Sequence, residues 1–213
     1  MASTQAMNDE MMLSYASGTL PAAFDLVVAS HLSLNVESRI QVEAMEAVGG
    51  AILEKETPIK MSENALSICM SRIETETPKP RKAQSGNYVF PQPLREVVGG
   101  DLDSVQWRPI GGGVKQAILP CEGDSSVRLL SIPGGTAIPE HSHEGMELTL
   151  VLRGAFVDGQ TRYGRGDMEY ADDHTEHQPI AEDGETCICL TATDAPLKFN
   201  DLIPRILQPF AQI

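Results

Sequence analysis

Apolar positions recur at helical spacing through the first third of the chain and in short, closely set runs through its second half. Asn8 or Asp9 can cap a first helix with Met11, Met12, Tyr15 and Ala16 along one side and Gly18 as its stop. Pro21 suits the first turn of a second helix, in which Phe24, Val27, Val28, His31 and Leu32 share one face of a 3.6-residue period. A third helix is predicted from about Val36 to Glu54, with Ile40, Ala44, Ala47, Val48 and Ala51 on its apolar face and Gly49-Gly50 weakening its last turns. Ser62 can cap a fourth that carries Leu66, Cys69, Met70 and Ile73. Four short helices make a marginal core, which needs a metal, a partner or a neighbour. Residues 77–88, TPKPRKAQSGNY, have the composition of a linker. From Trp107 onward, runs such as Val127–Ile132, Leu148–Val157 and Cys187–Thr193 alternate with Gly, Pro and Asp clusters, as in a compact β-barrel or sandwich. Leu202–Leu207 adds a short apolar segment that can dock back on the body.

Composition narrows the class. With 41% apolar residues the chain of 213 can bury a core, and no apolar run approaches the roughly 20 residues that span a bilayer. The start, MASTQAMNDEMM, has neither the basic region nor the apolar block of a secretory signal. Cys69, Cys121, Cys187 and Cys189 are too few and scattered for a disulfide framework, so a reducing cytoplasm is expected. The net charge of -14 repels phosphate backbones and argues against direct nucleic-acid binding. Residues 1–78 hold eleven acids against four bases, so a partner of the helical part should be basic.

The chemistry concentrates between Gly135 and Gly154. His141 and His143, one residue apart in a strand, point to the same face. Glu147 can return to that face after a turn at Glu144-Gly145, and Gly154 is expected to close a hairpin. Two imidazoles and a carboxylate suit Zn, Fe, Mn, Ni or Cu. A fourth ligand must come from a distant strand; His177 is the candidate, with His174 as the alternative. Cys187 and Cys189 share a strand face and read either as redox-active or signalling groups beside the metal or as buried small apolar residues. An extended C-x-C sits near the upper limit of disulfide reach, about 7 Å between Cα atoms, so a direct bridge is not expected.

The segment from Gly135 to Gly154 resembles the first cupin motif, G-x5-H-x-H-x3-E-x6-G, at every fixed position. Gly166-Asp167 to His177 resembles the second, with Asp172 and His174 where proline and glycine are usual. The whole chain further resembles the ChrR-type anti-sigma factors. The resemblance rests on Tyr15–Leu20, His31–Leu34, Gly111–Val114 with Gln116–Pro120, Cys187–Leu190, and Pro204-Arg205 with Gln208–Phe210. It implies an α+β two-domain fold, a small helical anti-sigma bundle followed by an all-β cupin (jelly-roll) barrel. The divisions expected are a helical domain at 1–76, a linker at 77–100, a cupin at 101–195 and a tail at 196–213 packing on it.

The resemblance also implies a function. The helical module would sequester an ECF (group IV) sigma factor, and the cupin, holding one divalent metal, most simply zinc, would trigger release on oxidative stress from singlet oxygen or organic hydroperoxides. Such modules carry a zinc site, H-x3-C-x2-C with a leading histidine. Here the pattern is His31, Asn35 and Ser38, and the leading position reads Gln5-Ala6-Met7, so no N-terminal zinc is expected. The cytoplasm is the implied location, no membrane or nucleic acid is a partner, and a homodimer through the cupin is compatible with the family. The competing reading is a cupin dioxygenase acting on a small carbonyl substrate.

Overall fold

The structure, a computed structural model, describes residues 8–75 and 86–199. Five helices, α1 (Asp9–Ala16), α2 (Ala22–Leu34), α3 (Val36–Leu53), α4 (Ala65–Thr75) and α5 (Gln92–Val98), precede the strands. The strands are β1 (Arg108–Gly111), β2 (Val114–Leu119), β3 (Ser126–Ile132), β4 (His141–His143), β5 (Glu147–Arg153) and β6 (Ala155–Asp158). They continue with β7 (Thr161–Gly164), β8 (Met168–Ala171), β9 (Glu176–His177), β10 (Ile180–Ala181), β11 (Cys187–Thr193) and β12 (Leu197–Phe199). Six form one antiparallel sheet in the order β1-β2-β3-β11-β5-β8. The other six form two three-stranded sheets, β10-β6-β7 and β12-β4-β9. This is a helical N-terminal module followed by a cupin barrel.

The central strands of the large sheet are buried on both faces. Along β5 every residue from Glu147 to Leu152 is buried, and along β11 all seven are. One set of alternating side chains (Ile132, Val151, Phe156, Tyr163, Cys187, Cys189) fills the barrel interior. The other set (Val127, Leu129, Leu148, Leu150, Leu152, Ile188, Leu190, Ala192) packs outward against Met11, Met12, Phe24, Val27, Val28, Phe90 and Leu94. Helix α2 supplies the centre of that layer, lying on β3, β5 and β11. Each such large apolar side chain contributes about 1.5–3 kcal/mol on burial. The helices thus share one core with the sheet.

Helices α1 and α2 follow the apolar pattern closely. The Asn8 side chain accepts the Met11 amide at 2.8 Å, capping α1, and Gly18 ends the turn at φ 68°. Phe24, Val27, Val28, His31 and Leu32 are all buried. In α3 the expected face is the wrong one. Ser38 and Val42 are its buried residues, whereas Ile40 and Val48 are exposed by 58% and 63%. Gly49-Gly50 lie inside the helix, which runs on to Leu53, close to the expected end at Glu54. The N-terminal half of α3 packs on α1, and its C-terminal half extends past the body. Helix α4 buries nothing, so the stripe of Leu66, Cys69, Met70 and Ile73 faces solvent.

Two further expectations change. The stretch assigned to a linker contains α5, and Phe90 and Leu94 are 1% and 0% exposed. The Asp101 carboxylate fixes this segment by accepting the Val89 and Phe90 amides at 3.0 and 2.8 Å. The Arg165 guanidinium donates to the carbonyls of Tyr88, Val89 and Leu152. Two short apolar runs flanked by prolines look like linker because the partner surface is distant in sequence. Residues 76–85 and the expected tail contact from residue 200 onward lie outside the described residues. Gly154, at φ 70°, closes no hairpin: β5 pairs with β11 and β8, and β6 with β7 and β10. The glycine instead lets the chain leave one sheet for another, and a Cβ there would sit 3.0 Å from the Thr186 carbonyl. Phe90→Ala should lower stability by about 3–5 kcal/mol in thermal or urea unfolding; a mere linker residue would give less than about 0.5 kcal/mol.

Candidate metal centre

Three short-range features place the ligand candidates. His141 and His143 are the two buried residues of the three-residue β4, either side of half-buried Ser142. Strand β9 pairs with β4 so that His177 lies directly opposite His141. Glu147 begins β5, on the face that points into the barrel. All four are buried, and their ligand atoms lie within 4.8 Å of one another. Nε2 of His177 is 3.1 Å from Nε2 of both His141 and His143. His174 stands apart, with its side chain 86% exposed and its ring 3.6 Å from Asp173. The structure therefore brings His177, and not His174, to the cluster.

The donor set fits a cation. The Pro139 carbonyl, 2.8 Å from His141 Nδ1, can only accept, so that nitrogen carries the proton and Nε2 presents a lone pair. Converging imidazole nitrogens with too few protons to share, beside a buried carboxylate, form a site a divalent ion would satisfy. Burial pushes the imidazoles of His141 and His143 down to about 4. Burial likewise pushes the Glu147 carboxyl up to about 7, despite the opposing pull of His177, with Glu169 adding to the rise. For His177 burial works downward, but the carboxylates of Glu169, Glu147 and Asp158 outweigh it and the net shift is upward. Thr149 donates to Glu147 at 3.2 Å and lies 3.2 Å from the Thr191 hydroxyl, fixing the carboxylate from behind.

Beside the cluster is a cavity of about 70 Å³, walled by His141 and Glu147 on one side and by Leu130, Ile138, Phe156 and Cys189 among others.

Cys187 and Cys189 lie on the inner face of β11, fully buried, with sulfurs 3.5 Å apart and unbridged. The contact with Cys187 and burial hold the Cys189 thiol well above its usual range, with the Glu169 and Glu147 carboxylates adding to it. A thiol so placed is a poor nucleophile. Both cysteines are part of the interior core, and Cys189 also borders the metal-site cavity.

At the degenerate N-terminal site the residues have taken other work. Asn35 closes α2 and caps α3, its side chain accepting the Ser38 amide at 3.0 Å. His31, wholly buried, meets the Ser38 hydroxyl at 2.9 Å through Nε2 and the Gly166 carbonyl at 2.9 Å through Nδ1. The carbonyl fixes the tautomer: Nδ1 donates to Gly166, and Nε2 accepts from Ser38. Burial lowers the pKa of His31, keeping the ring neutral in this role. Both ring nitrogens are occupied, and Asn and Ser offer no thiolate, so the residues do not fit a zinc ion.

Comparison with known proteins supports the same architecture. The ChrR Cupin-like domain family matches residues 95–196. The anti-sigma-E factor ChrR of Cereibacter sphaeroides is 49% identical over 207 residues, 97% of each chain. The chain belongs to the ChrR family of anti-sigma factors. A solved complex of Rhodobacter sphaeroides SigE with the anti-sigma ChrR matches at 48% identity and a TM-score of 0.77, over 89% of this chain and 98% of that one.

Two signals went unread in the sequence. Asp158 and Glu169 stand 3.3 and 3.8 Å from Nδ1 of His177. Glu169 could have been suspected, since a lone acid in the otherwise apolar run Met168–Ala171 is costly to bury without a partner.

Metal binding must release the protons that Glu147 and His177 hold. Lowering the pH through 7 should therefore weaken metal affinity by about tenfold to a hundredfold per unit, one or two protons per ion, in chelator competition at pH 8, 7 and 6. His141 and His143 stay unprotonated over that range. For the helical side, His31→Ala leaves the Gly166 carbonyl and Ser38 hydroxyl without their partner in a dry interface. A loss of about 2–4 kcal/mol in urea unfolding is expected.

Proposed function

We propose that this protein sequesters a group IV (ECF) sigma factor through its helical module and releases it in response to oxidative stress at the cupin metal centre. The observation that carries the first half is a large unpaired apolar surface. Val48, Ile52, Leu53, Ile59, Met61, Leu66, Ile68, Met70 and Ile73 are each 48–91% exposed on α3, α4 and the segment between them. Monomeric proteins rarely leave so many large apolar side chains of one segment in water, and exposed apolar surface of this kind marks protein interfaces. Helices α1 and α2 are committed to the barrel, which leaves α3 and α4 as arms for a partner. The acid excess of residues 1–78 complements a surface adapted to polymerase and DNA. Family membership supplies the partner class, since the related ChrR was solved with SigE. Among the described residues no helix is long and apolar enough to cross a membrane. A cytoplasmic location follows from the proposed partner.

The second half rests on the buried histidine–glutamate cluster. His141, His143, Glu147 and His177 would hold one divalent ion, with zinc the simplest choice for a four-ligand site of this kind. The comparison with an anti-sigma factor speaks for a regulator over a dioxygenase. Signal chemistry at the ion would alter the interior of the barrel, whose large sheet carries the helices on its other face.

Co-expression with the group IV sigma factors of the same genome should give a complex stable to size exclusion. Ile68→Asp with Ile73→Asp should weaken it by at least tenfold while the cupin keeps its metal. If no such sigma factor co-purifies with the wild-type chain, the proposal fails. Replacing His141 and His143 by alanine should abolish metal uptake, leave sigma binding intact, and block release by singlet oxygen or an organic hydroperoxide.

A further inference from the structure

We propose that Asp158 and Glu169 are the positioning residues of the metal centre, holding the His177 ring by its outer nitrogen and raising its strength as a donor. The inference rests on the reading of His141, His143, Glu147 and His177 as metal ligands.

The three imidazoles meet through their Nε2 atoms, so each must be oriented through Nδ1. For His141 the Pro139 carbonyl does this at 2.8 Å. His177 has a weaker backbone frame. It ends a strand of two residues, following a turn in which Asp173 and His174 are exposed. Strand pairing to His141 sets its Cα but not the rotation of its ring. Its Nδ1 is buried and has no hydrogen bond of standard geometry. That atom faces two carboxylate oxygens, Asp158 Oδ2 at 3.3 Å and Glu169 Oε2 at 3.8 Å.

The carboxylates come from two well-anchored elements. Asp158 ends β6, where it pairs with Thr161 of β7. Glu169 lies in β8, opposite Thr149 of β5, and is 5% exposed. An imidazole that offers Nε2 to an ion keeps its proton on Nδ1, and that proton needs an acceptor. A carboxylate in that place fixes the tautomer and makes the ring a better donor, and loss of such a partner usually costs 10–100-fold in metal affinity. Asp158 Oδ2 is already within hydrogen-bond distance of Nδ1, so a small rotation of the ring would align the two, with Glu169 behind it. His177 then differs from His141, which has a neutral carbonyl in the same role.

The experiment compares the full-length chain with Asp158→Asn and Glu169→Gln, all loaded with cobalt(II) as the probe. Cobalt affinity is read by chelator competition, geometry by the ligand-field absorption, stoichiometry by metal analysis, and folding by thermal unfolding of the metal-free forms. Each variant should bind one cobalt 10–100-fold more weakly with altered ligand-field bands, and metal-free unfolding should stay cooperative. Asp158→Glu, which restores the charge, should recover part of the affinity. Wild-type affinity and spectrum in both variants would overturn the proposal. So would two ions per wild-type chain with the second lost in Asp158→Asn, because Nδ1 would then coordinate rather than donate. If the wild-type chain takes up no cobalt, or keeps it when His141 and His143 are both alanine, the ligand reading itself falls and the proposal with it.

Discussion

The outer face of the six-stranded sheet has to be covered, and most of the architecture follows from how that is done. Leu129, Leu148, Leu150, Leu152, Ile188 and Leu190 point away from the barrel interior and would otherwise stand in water. Helix α2, backed by α1 and α5, covers them with Phe24, Val27, Val28 and Leu94. Once these helices are spent on the sheet, α3 has cover only for its first turns and α4 has none. The same apolar patterning therefore yields a shared core at one end of the helical module and a surface ready for another protein at the other. The metal cluster lies on the opposite, inward side of this sheet, with Glu147 and Leu148 adjacent in β5 and facing opposite ways.

Much of the site was legible because its chemistry is local. His141 and His143 alternate in one strand, Glu147 follows within a turn, and the two cupin motifs and their spacing indicated His177. Helices α1 and α2 were legible too, through Asn8, Gly18 and the stripe from Phe24 to Leu32. What escaped depended on distant partners. Phe90 and Leu94 look like isolated apolar residues until the sheet they cover is known. The exposed side of α3 carries as good a stripe as the buried one, since an interface for another molecule and a core are written in the same residue types. The short runs that became β5 and β11 signalled strands of a barrel or sandwich, but not that both of their faces are buried.

Around His31 the helical module is tied by hydrogen bonding rather than by thiolates. A zinc ion ties segments together with strong bonds to thiolates. Here a neutral imidazole does a similar tying with two hydrogen bonds, one to Ser38 on α3 and one across to the barrel at Gly166. Each is modest, about 0.5–1.5 kcal/mol net, but both are dry, so deleting one partner and leaving the other buried and unpaired costs more than the bond itself contributes.

The turn between β7 and β8 receives both of the chain's polar attachments to the barrel described above. Gly166 takes the ring of His31, and its neighbour Arg165 grips the carbonyls of Tyr88 and Val89. Three residues further on, Glu169 faces His177. Rivets placed side by side share their load, so neither joint can work loose while the other holds. Opening at this seam would be an abrupt event rather than a gradual one, and the peptide that governs it is only a few residues long.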